Sequence, residues 1–137
     1  MENHNIIKLQ NEMAKHDQVD CPLVHHFAEG VYVRELHIPA DTWIMGKRHR
    51  HETINILLKG SLSLYMGPGI PAKKIESPMV FNSKPGVKKF AYIHEDTVFL
   101  NIHPTKERDL EKIEQEFIIS EEEWIQLENR GDIKCLG

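Results

Sequence analysis

The sequence predicts an all-β sandwich or barrel with short helical segments at its ends. Residues 30–103 break into roughly eight or nine short runs of alternating, β-branched and aromatic residues, closed at near intervals by Gly, Pro, Asn and Asp turn signals. No run among them has helical spacing, which argues against a βαβ pattern. After Pro104 the apolar spacing lengthens to three or four residues, so the barrel ends there and a helical tail begins.

Residues 6–15 carry Ile6, Ile7, Leu9 and Met13 at loosely helical spacing, and a short N-terminal helix or arm is expected. Residues 21–29 (CPLVHHFAE) hold Pro22 and the adjacent His25 and His26, and read as irregular or edge structure. Neighbouring side chains on a strand point to opposite faces, so at most one of the two histidines faces a shared cavity. Residues 30–38 (GVYVRELHI) alternate as a strand, 39–41 turn, and 42–45 form a short strand running into residues 46–60. Residues 61–66 (SLSLYM) alternate strictly up to the turn Gly67-Pro68-Gly69. Further strands are expected at 72–76, 78–82, 88–94 and 97–103, with turns at 83–86 and 95–96.

In 109–117 (DLEKIEQEF), Leu110, Ile113 and Phe117 fall on one helical face. Ser120 and Glu123 form a capping box for a second helix reaching about Asn129, which buries Trp124 and Leu127 and stops at Arg130-Gly131-Asp132. The chain reads as one domain: an arm at 1–29, a barrel at 30–103 and a helical tail at 104–137. Trp43, Tyr65, Phe81, Phe90 and Phe99 are expected in the core.

The 137 residues suffice for one real core. A formal net charge of −4 argues against a general nucleic-acid or membrane-surface binder. No apolar run approaches the ~20 residues that span a bilayer, and the polar N-terminus does not look like a secretory signal. Cys21 and Cys135 form no CxxC pair, so free thiols and a cytoplasmic location are expected.

The stretch that concentrates chemistry is residues 46–60, GKRHRHETINILLKG. On an extended strand, residues two apart share a face. His49 and His51 would then share one, continued by Thr53 and Asn55, while Ile54, Ile56 and Leu58 form the other. That describes one wall of a polar cavity. Arg48 and Arg50 alternate with the histidines and should face outward, making with Lys47 a solvated basic rim. His94, beside Glu95 and Asp96 at a strand end, reads as a surface residue.

The motif Gly46…His49-x-His51…Gly60, followed by Pro78…Pro85-Gly86…Lys89 and a strand pair ending at His103, resembles the cupin superfamily. The wording GVYVRELHIPA, NILLKG, SKPG and HEDTVFLNIHP is similar to small single-domain cupin-like proteins of phages and prophages. The resemblance implies a double-stranded β-helix (jelly-roll) barrel holding a divalent metal such as Zn, Fe, Mn or Ni on three histidines and a glutamate. His49 and His51 match the first two ligands. Thr53 stands at the glutamate position and Lys89 near the last histidine position, so two ligands carry over. His103 is then the best candidate for a third, and Asn55 a weak oxygen ligand or a donor orienting one. Lys89 either points inward to attract an anion or, the preferred reading, faces solvent within the run 84–89.

Three functions are compatible with these residues. A metal-dependent enzyme would use His49, His51 and His103. A non-catalytic module would hold a small anion or metabolite with His49, His51, Asn55 and Lys89. An accessory protein, in the host cytoplasm if phage-encoded, would act through the face of Ile54, Ile56 and Leu58 as a homodimer or on a partner. No reaction is specified by the sequence.

Overall fold

The computed structural model describes residues 8, 11–13, 15, 19–65 and 69–130. The expected N-terminal helix lies mostly outside them, although residues 8 and 11–13 are helical. Cys135 and most of the Gly67-Pro68-Gly69 and Arg130-Gly131-Asp132 turns also lie outside them.

The strands are β1 (Leu23–Ala28), β2 (Val31–Ile38), β3 (Thr42–Met45), β4 (Arg48–His49), β5 (Thr53–Lys59), β6 (Ser61–Tyr65), β7 (Lys73–Glu76), β8 (Met79–Ser83), β9 (Phe90–Ile93), β10 (Thr97–His103) and β11 (Ile118–Ile119). The helices are α1 (Leu110–Phe117) and α2 (Glu121–Asn129). Two antiparallel sheets form the barrel, in the orders β1-β2-β10-β5-β8 and β3-β9-β6-β7. The all-β jelly-roll expectation therefore holds. The barrel starts earlier than expected, because β1 pairs with β2 along its whole length as an edge strand.

Alternation decides what each sheet buries. Leu57 and Ile93 are fully enclosed, with Leu62, Leu64 and Ile75 packed around them. Burying each such side chain stabilises the fold by about 1.5–3 kcal/mol by area, an upper bound. Phe81 and Phe99 pack against this core, but Trp43 and Tyr65 do not. These two stand 47% and 38% exposed on the outer face of the second sheet, where Trp43 stacks on Phe90 at 4.8 Å. The parity of TWIM explains the correction: Thr42 and Ile44 take the inner positions, so Trp43 must point out.

Gly60 joins β5 to β6 at φ +97°, and a Cβ there would lie 2.4 Å from Thr97 Oγ1, so only glycine fits. The outer face of β5 is apolar as expected. Ile54 and Leu58 are 44% and 54% exposed, so the face expected to seat a second copy is left open.

The tail folds back onto the H-x-H segment. Asp109 caps α1 by accepting from the amides of Glu111 and Lys112, and Ser120 caps α2 by accepting from Glu123. Each cap stabilises its helix by about 1 kcal/mol. Between the helices, β11 adds itself to β4, pairing Ile118 with His49 and Ile119 with Arg48. The Arg50 amide donates to Phe117 O at 2.7 Å.

The basic residues expected to be solvated instead fasten this tail. Lys47 pairs with Glu114 and Arg50 with Glu123. Arg48 is only 3% exposed, donates to Gly86 O at 3.0 Å and lies 4.1 Å over the Trp124 ring. Lys88 and Arg48 both approach Glu121. As a result Ile113 and Phe117 are set over one end of the barrel.

Candidate functional site

Beneath α1 the barrel holds a partly open cavity of about 330 Å³. The register lays its wall out in rows. Arg34 on β2 sits opposite Asn101 on β10, which sits opposite Asn55 on β5. One row nearer the tail, Tyr32 sits opposite His103. One row deeper, Leu36 sits opposite Phe99 and Phe99 opposite Leu57. Polar side chains thus line the end under α1, and apolar ones line the rest.

His49 reaches the cavity from β4, and its ring meets that of His103 edge-on at 5.4 Å. His103 stacks on Tyr32 at 5.9 Å and tilts against Phe117 at 4.5 Å. Both imidazoles are nearly inaccessible, and burial is the main reason their pKa values fall, to about 3 for His49 and about 4 for His103. For His49 the positive charge of Lys89 adds to the effect, and for His103 that of Arg34. Both are neutral at pH 7.

Lys89 does not face solvent. It shares the inner face of Ala91 and Ile93 by parity, lines the cavity, and is desolvated enough that its pKa drops to about 8. Arg34 enters from the opposite sheet, and burial lowers its pKa as well. It donates a long hydrogen bond to Asn101 Oδ1 at 3.4 Å. Neither cation makes a close ion pair with a carboxylate among the described residues, although the charge of Glu114 acts on Arg34. Glu114, the acid that lines the cavity, is engaged by Lys47.

Thr53 and Asn55 act through others. Thr53 Oγ1 holds His49 Nδ1 at 2.9 Å. Asn55 is wholly buried; its Nδ2 donates to Ser83 Oγ at 2.5 Å, and its Oδ1 accepts from Asn101 Nδ2 at 2.7 Å. It therefore orients the amide that Arg34 reaches. His25 also lines the cavity, with Nδ1 2.6 Å from Tyr32 Oη, while His26 turns outward to Glu35. His94 is a surface residue bonded to Ser63.

His51 departs from the expected arrangement. Chain regularity ends at His49, and His51 is exposed, edge-on to Phe117 at 6.1 Å. The structure brings His49 and His103 together and leaves His51 outside. Among the described residues no three His, Cys, Asp or Glu side chains are placed to hold a metal ion. The donors that line the cavity are three imidazoles, of which His25 is bonded to Tyr32, and a carboxylate paired with Lys47; set beside an ammonium and a guanidinium, they do not fit a divalent cation.

The sequence reading missed Arg34, Tyr32 and Asn101. A signal was present for the first: in VYVRELHI, Arg34 has the parity of Tyr32, Leu36 and Ile38, an apolar series that must face the core.

No protein-family model matches the sequence, and no curated protein does. Solved structures do match the fold. A protein with a double-stranded β-helix domain from Klebsiella pneumoniae aligns at TM-score 0.54 and 15% identity, covering 69% of this chain and 84% of that one. A cupin-family protein from Methanocaldococcus jannaschii aligns at 0.51 and 13%, covering 66% and 84%. A cupin domain from Bordetella pertussis aligns at 0.50 and 18%, covering 66% and 98%. The chain shares the double-stranded β-helix fold of these structures. Among the described residues no helix is long and apolar enough to cross a membrane.

Proposed function

We propose that the barrel is a binding chamber for a small organic anion, gripped between Arg34 and Lys89 beneath the tail. One observation carries this reading. Two partly buried cations from opposite walls share one cavity, and neither makes a close ion pair with a carboxylate among the described residues. Leaving a charge desolvated and unpaired costs several kcal/mol, and a bound anion removes that cost. The neutral imidazoles of His49 and His103 add hydrogen-bonding capacity without competing for the anion.

The test is calorimetric titration of the full chain with acetate, hexanoate and phosphate, repeated on Arg34→Gln and Lys89→Met. An anion that binds the parent chain and is weakened at least tenfold in both variants supports the reading. Failure of every anion to bind would overturn it. So would stoichiometric Zn²⁺ or Fe²⁺ that is lost on His49→Ala and on His103→Ala, because a cation held there opposes the charge balance on which the proposal depends.

A further inference from the structure

The cavity is polar at one end only, and this narrows the ligand beyond its sign of charge. Arg34, Lys89, His49 and His103 crowd the end under α1. Away from them the lining is Leu36, Ile38, Leu62, Leu64, Ile93 and Phe99, which offer no hydrogen-bonding side chain. A sugar or a dicarboxylate that filled this space would leave hydroxyls or a second charge without partners, at a penalty a hydrocarbon does not incur.

The polar end also favours a single negative charge. One face of α1 borders it, through Leu110, Ile113, Glu114 and Phe117. Glu114 brings a carboxylate to this end, which opposes a doubly charged group. Of the α1 N-terminal amides that would suit a phosphate, Asp109 already takes two. A planar carboxylate matches the fork of Arg34. A volume of about 330 Å³ lies at the low end for small-molecule sites, which suits a compact ligand.

We infer that the ligand is a compact amphiphilic monocarboxylate, its carboxylate between Arg34 and Lys89 and its apolar body against Leu62, Leu64, Ile93 and Phe99. This inference rests on the anion reading and specifies what stands behind the charge.

Titration of the full chain at pH 7 with acetate, hexanoate, 3-phenylpropionate, hexanamide and hexyl phosphate separates the two. Hexanoate and 3-phenylpropionate are expected to bind roughly 100-fold more tightly than acetate, from the added buried carbons. Hexanamide is expected to bind at least tenfold more weakly than hexanoate. Acetate binding as well as hexanoate overturns the amphiphile and leaves the anion reading standing. Hexyl phosphate binding more tightly than hexanoate overturns the carboxylate head alone. Hexanamide equal to hexanoate overturns the anion reading and this inference with it, as does binding of none of the five. An Ala91→Leu variant, which fills the apolar end beside Ile93, is expected to lose the preference for hexanoate over acetate. Retention of that preference in a folded Ala91→Leu protein overturns the placement of the apolar body.

Discussion

His49 Nδ1 lies 2.9 Å from Thr53 Oγ1, and that hydroxyl donates its own proton to His51 O at 3.1 Å. The hydroxyl has one hydrogen, already committed, so toward His49 it can only accept. Nδ1 therefore carries the imidazole proton and Nε2 holds a free lone pair. Thr53, standing where the resembling family has a glutamate ligand, fixes the tautomer and orientation of this ring. Thr53→Val, nearly isosteric, removes that acceptor. It is expected to cost about 1–2 kcal/mol in urea unfolding and to mix the two tautomers of His49 in ¹⁵N spectra. An unchanged tautomer would show that the hydroxyl does not set it.

The two buried imidazoles make the fold sensitive to acid. Their folded pKa values are about 3 and about 4, against 6.5 for an ordinary histidine. Below pH ~6.5 the unfolded chain binds protons that the folded chain does not. Stability is thus at its full value above that pH and falls as pH drops toward 4 and then 3, by at most about 1.4 kcal/mol per pH unit for each histidine. Chemical denaturation between pH 7.5 and 4.5 should show this slope, and the double variant His49→Gln, His103→Gln should flatten it. Parallel curves for parent and variant would place the acid lability elsewhere.

Much of the fold was legible because the barrel obeys a period of two. Residues 97–103 form a strand as expected, and the capping box at Ser120 starts α2 where it should. The errors have physical causes. His51 lost its place because β4 is two residues long: the chain bends at Arg50, whose amide is drawn to Phe117. Period-two reasoning holds only while the strand lasts. Arg48 was correctly read as pointing out of the barrel, but outward from a barrel is not solvent when a helix lies there. Lys89 was read by its charged neighbours, whereas its parity with Ala91 and Ile93 decides its direction. Covering by the tail is a long-range fact that no local pattern carries.

That covering depends on Trp124. It is 3% exposed, sits under the Arg48 guanidinium, and has two ring carbons placed 3.2 and 3.3 Å from where a Cβ on Gly86 would be. Gly86, at φ +79°, leaves the room that the ring fills. Trp124→Ala is expected to destabilise the protein by about 3–5 kcal/mol, from the cavity and the lost stacking. It should also speed hydrogen exchange in α2 before it does so in β5. Uniform acceleration across both would mean that the tail and barrel unfold as one unit.

Lys89 separates stability from binding most sharply, because its contributions to the two have opposite signs. Its pKa is about 8 in the folded chain against 10.5 for the ordinary side chain, from desolvation. Between those values the unfolded chain holds the extra proton, so stability rises with pH across that window and is lowest where the ammonium is fully charged. Lys89→Met keeps the length and apolar stem and removes the buried charge. Without ligand it is expected to be more stable than the parent by about 1–3 kcal/mol at pH 7, and its stability should lack the rise above pH 8. Affinity of the parent chain for hexanoate should fall as pH increases through about 8, since the ammonium that grips the anion is lost there, while the weaker binding of Lys89→Met should be flat over that range. A functional residue that costs stability when the cavity is free of ligand is the signature of a site shaped for its ligand. A variant no more stable than its parent, with the same pH profile of binding, would remove Lys89 from the site.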